Sequence, residues 1–129
     1  MKGRLIAGFF ILILLGCATI HTETELRESL RQRAEEYWKL RMEDGYEETY
    51  KMESREGLPP FIKYLDTVRV MKRINIISHS IKDTKIEGQR GIAEVEISYL
   101  RPPISKPFES ILRDEWVLRN GKWLHVLPE

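Results

Sequence analysis

The chain of 129 residues carries 21 Lys and Arg against 20 Asp and Glu, a formal charge of +1 with the two signs interspersed. That balance argues against a nucleic-acid partner, which calls for a basic face. Hydrophobic residues make up 42% of the chain, three of them Trp and five Tyr, which argues against disorder, and one cysteine cannot form an internal disulfide.

In chain order, Lys2 and Arg4 precede an uncharged run from Leu5 to Leu15, then Gly16 and Cys17. A basic head, a short apolar middle and a small residue before the cut predict a signal peptide over residues 1–16. The run is too short for a spanning helix, which needs about 20 apolar residues. Leu14-Leu15-Gly16-Cys17 resembles the bacterial lipobox. That resemblance implies cleavage before Cys17 and a diacylglyceryl thioether on it, with palmitate-type chains holding the protein to a membrane. Each buried methylene adds about 0.8 kcal/mol, so two or three chains anchor stably where one does not. Ala18, by resemblance to Gram-negative sorting, points to the periplasmic face of the outer membrane. Without Lys2 and Arg4 the basic count falls from 21 to 19 against 20 acidic residues, so the mature charge is −1. Residues 17–23 are expected as a lipidated tether and 24–129 as a single domain.

Thr22-x-x-Glu25 reads as a capping box. Leu26, Leu30, Ala34, Tyr37, Trp38 and Met42 follow at helical spacing, and Asp44-Gly45 breaks the helix. Asp44-x-x-Glu47 predicts a cap on a second helix, Tyr46 to Met52. Pro59-Pro60 opens a third, Phe61 to Leu65.

The β-branched stretch Val68 to Ile81 then reads as strand, and Asp83 to Gly91 as a turn region. Ala93, Val95, Ile97 and Tyr99 alternate with polar residues, a half-buried strand. Three prolines make Arg101 to Pro107 a connecting loop. Phe108 to Arg119 and Lys122 to Leu127 flank Asn120-Gly121, a hairpin turn in which both residues take positive φ. The turn sets Leu118 opposite Trp123 and Trp116 opposite His125, with Asp114 diagonal to His125 on the same face.

Ala34-x-x-Tyr37-Trp38, a second helix ending near Tyr50, Gly91-Ile92-Ala93-x-Val95 and Glu115-Trp116-x-x-x-x-Gly121-x-Trp123 together resemble the nuclear-transport-factor-two-like (SnoaL-like) superfamily over residues 24–127. The resemblance implies an α+β, cystatin-like cone: N-terminal helices packed on a strongly curved antiparallel sheet of about four strands, with a pocket between them. It also implies homodimers formed by sheet packing. Ser54 to Leu58 is too short for the small hairpin that members carry between their second and third helices.

Asp114 with His125, and Tyr50, Tyr37 or Tyr99 as hydroxyl donor, is the candidate acid/base set. A carboxylate beside an imidazole can fix its tautomer and tune its pKa. The other reading is a strand histidine against Trp116, with Asp114 as a cap or ion-pair partner. Tyr37, Trp38, Tyr99, Trp116 and Trp123 could line a pocket for an apolar ligand, or could be core. Arg69, Lys72 and Arg73 read as a solvated strand start, His79 as an exposed strand residue and His21 as part of the tether. Scattered histidines and one acylated cysteine predict no metal and no cofactor. No Walker-type loop, GxSxG or HExxH is present. Two functions follow as expectations. The first is a lipid-anchored, non-catalytic envelope domain that binds a partner protein or small apolar ligand. The second is a cofactor-free lyase or isomerase using Asp114 and His125.

Overall fold

The computed structural model describes residues 22–72 and 75–128. The expected signal segment, Cys17, most of the tether and His21 lie outside these residues, as do Arg73 and the side chains of Arg69 and Lys72.

Helix α1 spans Glu23–Met42. Thr22 Oγ1 accepts the Glu25 N–H at 3.2 Å, and Glu23 and Glu25 in the first turn face Lys39 and Arg41 in the last, complementing the helix dipole. Leu30, Ala34, Tyr37 and Trp38 are its buried residues. Met42, expected on the same stripe, is exposed and lies 3.0 Å from His79 Nδ1. Helix α2 spans Tyr46–Met52, as the sequence predicts, but its cap residue is Gly45 rather than Asp44, with no side-chain cap bond.

Helix α3 spans Phe61–Lys72 and continues through Val68, where the sequence suggested a strand. Phe61, Tyr64 and Val68 fall at helical spacing, and Tyr64 and Val68 are fully buried. Burial of that face outweighs the local strand preference of Val68.

The four strands are β1 (Asn75–Glu87), β2 (Arg90–Arg101), β3 (Ile104–Arg119) and β4 (Lys122–His125). They form one antiparallel sheet in sequence order, so the fold is α+β with three helices. The turn region expected over 83–91 contracts to Gly88-Gln89, because Thr84 is buried and Ile86 packs against the core. The proline loop contracts too. Its turn is at Pro102-Pro103, and Pro107 falls within β3, where the pairing between Tyr99 and Arg101 is irregular. Asn120 (φ 51°) and Gly121 (φ 75°) make the predicted hairpin turn, with Trp116 opposite His125 and Leu118 opposite Trp123.

The sheet keeps two edges, β1 and β4, so the closed cone-shaped barrel is not reached. Each edge is partly covered. Arg27 Nε donates to the Thr84 carbonyl at 2.9 Å, and Arg31 Nη1 to the Ile81 carbonyl at 2.8 Å. At the other edge Glu53 bridges to His125 in parallel, and the Ser54 N–H donates to the His125 carbonyl at 2.6 Å. Such covering withholds edge groups from pairing with another chain.

The core lies between α1 and the face of the sheet that carries Ala93, Val95, Ile97, Trp116 and Trp123. Gly91 permits the close approach of α1: a Cβ there would meet Leu30 Cδ2 at 2.6 Å and Trp123 Cζ3 at 3.1 Å.

Candidate functional site

The hairpin places His125 on β4 and Asp114 on β3 diagonally across one face. His125 Nε2 lies 3.7 Å from Asp114 Oδ2, an ion-pair distance longer than a hydrogen bond. Asp114 Oδ2 accepts instead from Trp38 Nε1 at 2.6 Å. The other ring nitrogen, Nδ1, lies 2.7 Å from Glu53 Oε2.

Glu53 ends α2, and its side chain is wholly buried. Its second oxygen accepts from Tyr37 Oη at 2.5 Å and from Tyr64 Oη at 3.1 Å. Thr49 Oγ1 lies 2.8 Å from Tyr64 Oη, and Arg41 Nη1 donates to Tyr37 Oη at 2.9 Å. The Tyr37 ring stacks on the imidazole at 4.3 Å between centroids, while Trp116 meets it edge-on at 5.1 Å. One polar network thus joins α1, α2, α3, β3 and β4.

Burial alone would lower the His125 pKa, but the Asp114 and Glu53 carboxylates outweigh it and raise the value to about 9. The imidazolium is the form these two neighbours favour. Burial likewise pushes the Tyr37 hydroxyl well above its ordinary range and Tyr64 up to about 12, so both are O–H donors at neutral pH. Two carboxylates are set against an imidazolium and the Arg41 guanidinium. Pairing of this kind is what lets charges stay in an interior.

The arrangement fastens helices to sheet, and its chemistry is limited by access. The side chains of His125 and Asp114 are 5% and 12% exposed. Surface hollows of about 530 Å³, beside Ile92 and Val117, and about 780 Å³, beside Glu35 and His79, are lined by neither residue. Glu53 and Asp114 meet opposite nitrogens of the ring, so the three side chains do not converge, and among the described residues no cluster of three or more acidic, His or Cys side chains is placed to hold a metal ion.

Tyr50 is not part of this set. Its hydroxyl donates to the Pro59 carbonyl at 2.9 Å, and its ring meets Phe61 and Tyr64. Tyr37, Trp38, Trp116 and Trp123, offered as pocket lining, are buried in the core. Among the described residues, Trp116 Nε1 is the buried side-chain donor without a partner. Tyr99 is half-buried, packed against that core and stacked on Phe108 at 5.8 Å. His79, expected to be exposed, is half-buried, and burial lowers its pKa.

The sequence reading missed Glu53, Tyr64 and Arg41. A signal existed for Glu53: a carboxylate at a helix C-terminus faces the negative end of the dipole and calls for a cation nearby. The partner itself, 72 residues away, leaves no local trace.

No family model and no curated protein matches the chain. Among solved structures it is similar to the solution structure of a SEC-C motif containing protein from Rhodopseudomonas palustris. The TM-score is 0.57 at 15% identity, covering 71% of this chain and 70% of that one. At this identity the likeness is one of fold alone. It corrects the identification of the folded domain as nuclear-transport-factor-two-like: the similar structure is described by a different motif, and no family model supports that superfamily.

Proposed function

We propose that this chain is a non-catalytic binding domain of the cell envelope, held at a membrane surface by lipid on Cys17, which engages a partner protein or a small apolar ligand. The observation that carries the reading is the burial of the Asp114–His125 pair behind Tyr37, Trp38 and Trp116, with Nδ1 of the imidazole occupied by Glu53. A general base has to reach its substrate's proton directly or through one water. The lyase or isomerase reading needs that pair in an open cavity, and the geometry weighs against it.

The anchor rests on the residues Lys2 to Cys17 alone. No helix among the described residues is long and apolar enough to cross a membrane. Labelling with an alkyne fatty acid, followed by fractionation, tests the reading. The native chain is expected to take the label and sediment with membranes. Cys17→Ser is expected to lose the label and accumulate uncleaved. Normal processing and membrane attachment of Cys17→Ser would overturn the anchor.

A further inference from the structure

The sheet face turned away from the helices carries a cleft of about 530 Å³, within the size range of sites for small molecules. Its apolar part is Ile92 on β2, Val117 on β3 and Val126 just beyond β4. Around it stand cations and anions in different states. Lys85 is held by Glu94 at 3.7 Å and Arg119 by Glu56 at 3.7 Å. Arg90, Arg113, Glu87 and Glu115 also line the cleft, and all four are exposed. Among the described residues none of these four makes an ion pair within 4.0 Å.

Exposed charges of both signs, none closed into an ion pair within 4.0 Å, surround one apolar floor and fit neither a polyanion nor a plain fatty acid. Either would set its negative charge against Glu87 and Glu115. A zwitterion with an apolar body satisfies both signs. The spacing narrows the class. Arg113 and Glu115 are two residues apart on one face of β3, about 7 Å at the rise of an antiparallel strand. An extended dipeptide spans about the same length between its charged ends.

We propose that this cleft binds a short peptide with free ends and apolar side chains. Its carboxylate engages Arg113, its ammonium engages Glu115, and its side chains lie on Ile92, Val117 and Val126. Arginine forks suit a terminal carboxylate. The proposal rests on the binding-domain reading above and specifies its ligand.

The test is calorimetric titration of the purified full chain with leucyl-leucine, N-acetyl-leucyl-leucine, leucyl-leucinamide and octanoate. Saturable binding of leucyl-leucine with Kd below about 1 mM is expected. Blocking either end should weaken it roughly tenfold or more, the scale of one charge-assisted contact. Arg113→Gln should weaken the free dipeptide by a similar factor while leaving the leucyl-leucinamide value unchanged. Glu115→Gln should do so while leaving the N-acetyl value unchanged. Both positions are exposed, and unchanged thermal melts verify the fold. Absence of saturation by leucyl-leucine overturns the proposal. So does octanoate binding as tightly as the dipeptide, and so does self-association of the chain that Arg113→Glu abolishes. Recovery of free leucine from the titration would contradict the non-catalytic reading while leaving the cleft assignment to stand on its variant pattern.

Discussion

The Glu53 carboxylate lies 2.7 Å from His125 Nδ1, and the two side chains are 0% and 5% exposed. One comes from the end of α2 and the other from β4, so the contact joins the helical layer to the sheet edge. Removing one member leaves the other charge buried without its partner. His125→Ala is therefore expected to cost about 3–5 kcal/mol. Replacing both, as Glu53→Met with His125→Leu, should cost clearly less than the two single changes added together, since neither member of the pair is left facing an empty partner position and Asp114 keeps its bond from Trp38. Urea unfolding of the four proteins measures this, and additive losses would count against the pair.

Stability should also depend on pH in a definite direction. The His125 pKa is raised from 6.5 to about 9, against burial and through Asp114 and Glu53. A raised folded-state value means the unfolded chain releases its proton first. The contribution is complete below about pH 6.5 and declines as the pH rises through about 9. At 1.36 kcal/mol per pH unit, that contribution is about 3 kcal/mol. Denaturant melts between pH 6 and pH 9.5 should show the loss, and His125→Gln should flatten it.

Gly91 faces the tightest approach of α1 to the sheet. Gly91→Ala drives a methyl group toward Leu30 and Trp123, both buried. Overpacking of this kind costs about 1–3 kcal/mol. Thermal denaturation of the variant checks it, and Leu30→Ala in the same background should recover part of the packing strain.

The β1 edge gives a finer comparison. Arg27 binds both the Thr84 carbonyl at 2.9 Å and the Asp83 carboxylate at 3.1 Å. The ion pair is exposed and contributes little, whereas the carbonyl bond also covers an edge group. Arg27→Ala should cost about 1 kcal/mol, and Asp83→Ala less than half of that. Equal losses would assign the effect to the ion pair.

Much of this architecture was legible because it is written in local patterns. The stripe Leu30, Ala34, Tyr37, Trp38 announces α1, and Asn120-Gly121 fixes which residues of β3 and β4 face each other. The Asp114–His125 diagonal follows from that turn alone. Where burial competes with local preference, the sequence misled. Val68 is β-branched yet helical, and Thr84 and Ile86 extend a strand through what reads as a turn. Glu53 was illegible because its meaning depends on a ring 72 residues away. The aromatic residues were recognisable as a group, but only packing could show that Tyr37 and Trp116 close over His125 rather than opening a pocket. The cleft beside Ile92 lies on the face that strand alternation marks as polar and exposed, so nothing in the periodicity sets it apart.

The central claim is that His125 is a buried cation locking helices to sheet, and not an acid or base for a substrate. An NMR titration of the His125 imidazole with selectively labelled histidine reads this directly. The account predicts a ring that remains protonated through pH 7.5 and titrates near 9. A ring that titrates at or below 6.5 would contradict it, and would return Asp114 and His125 to the role of an acid/base pair.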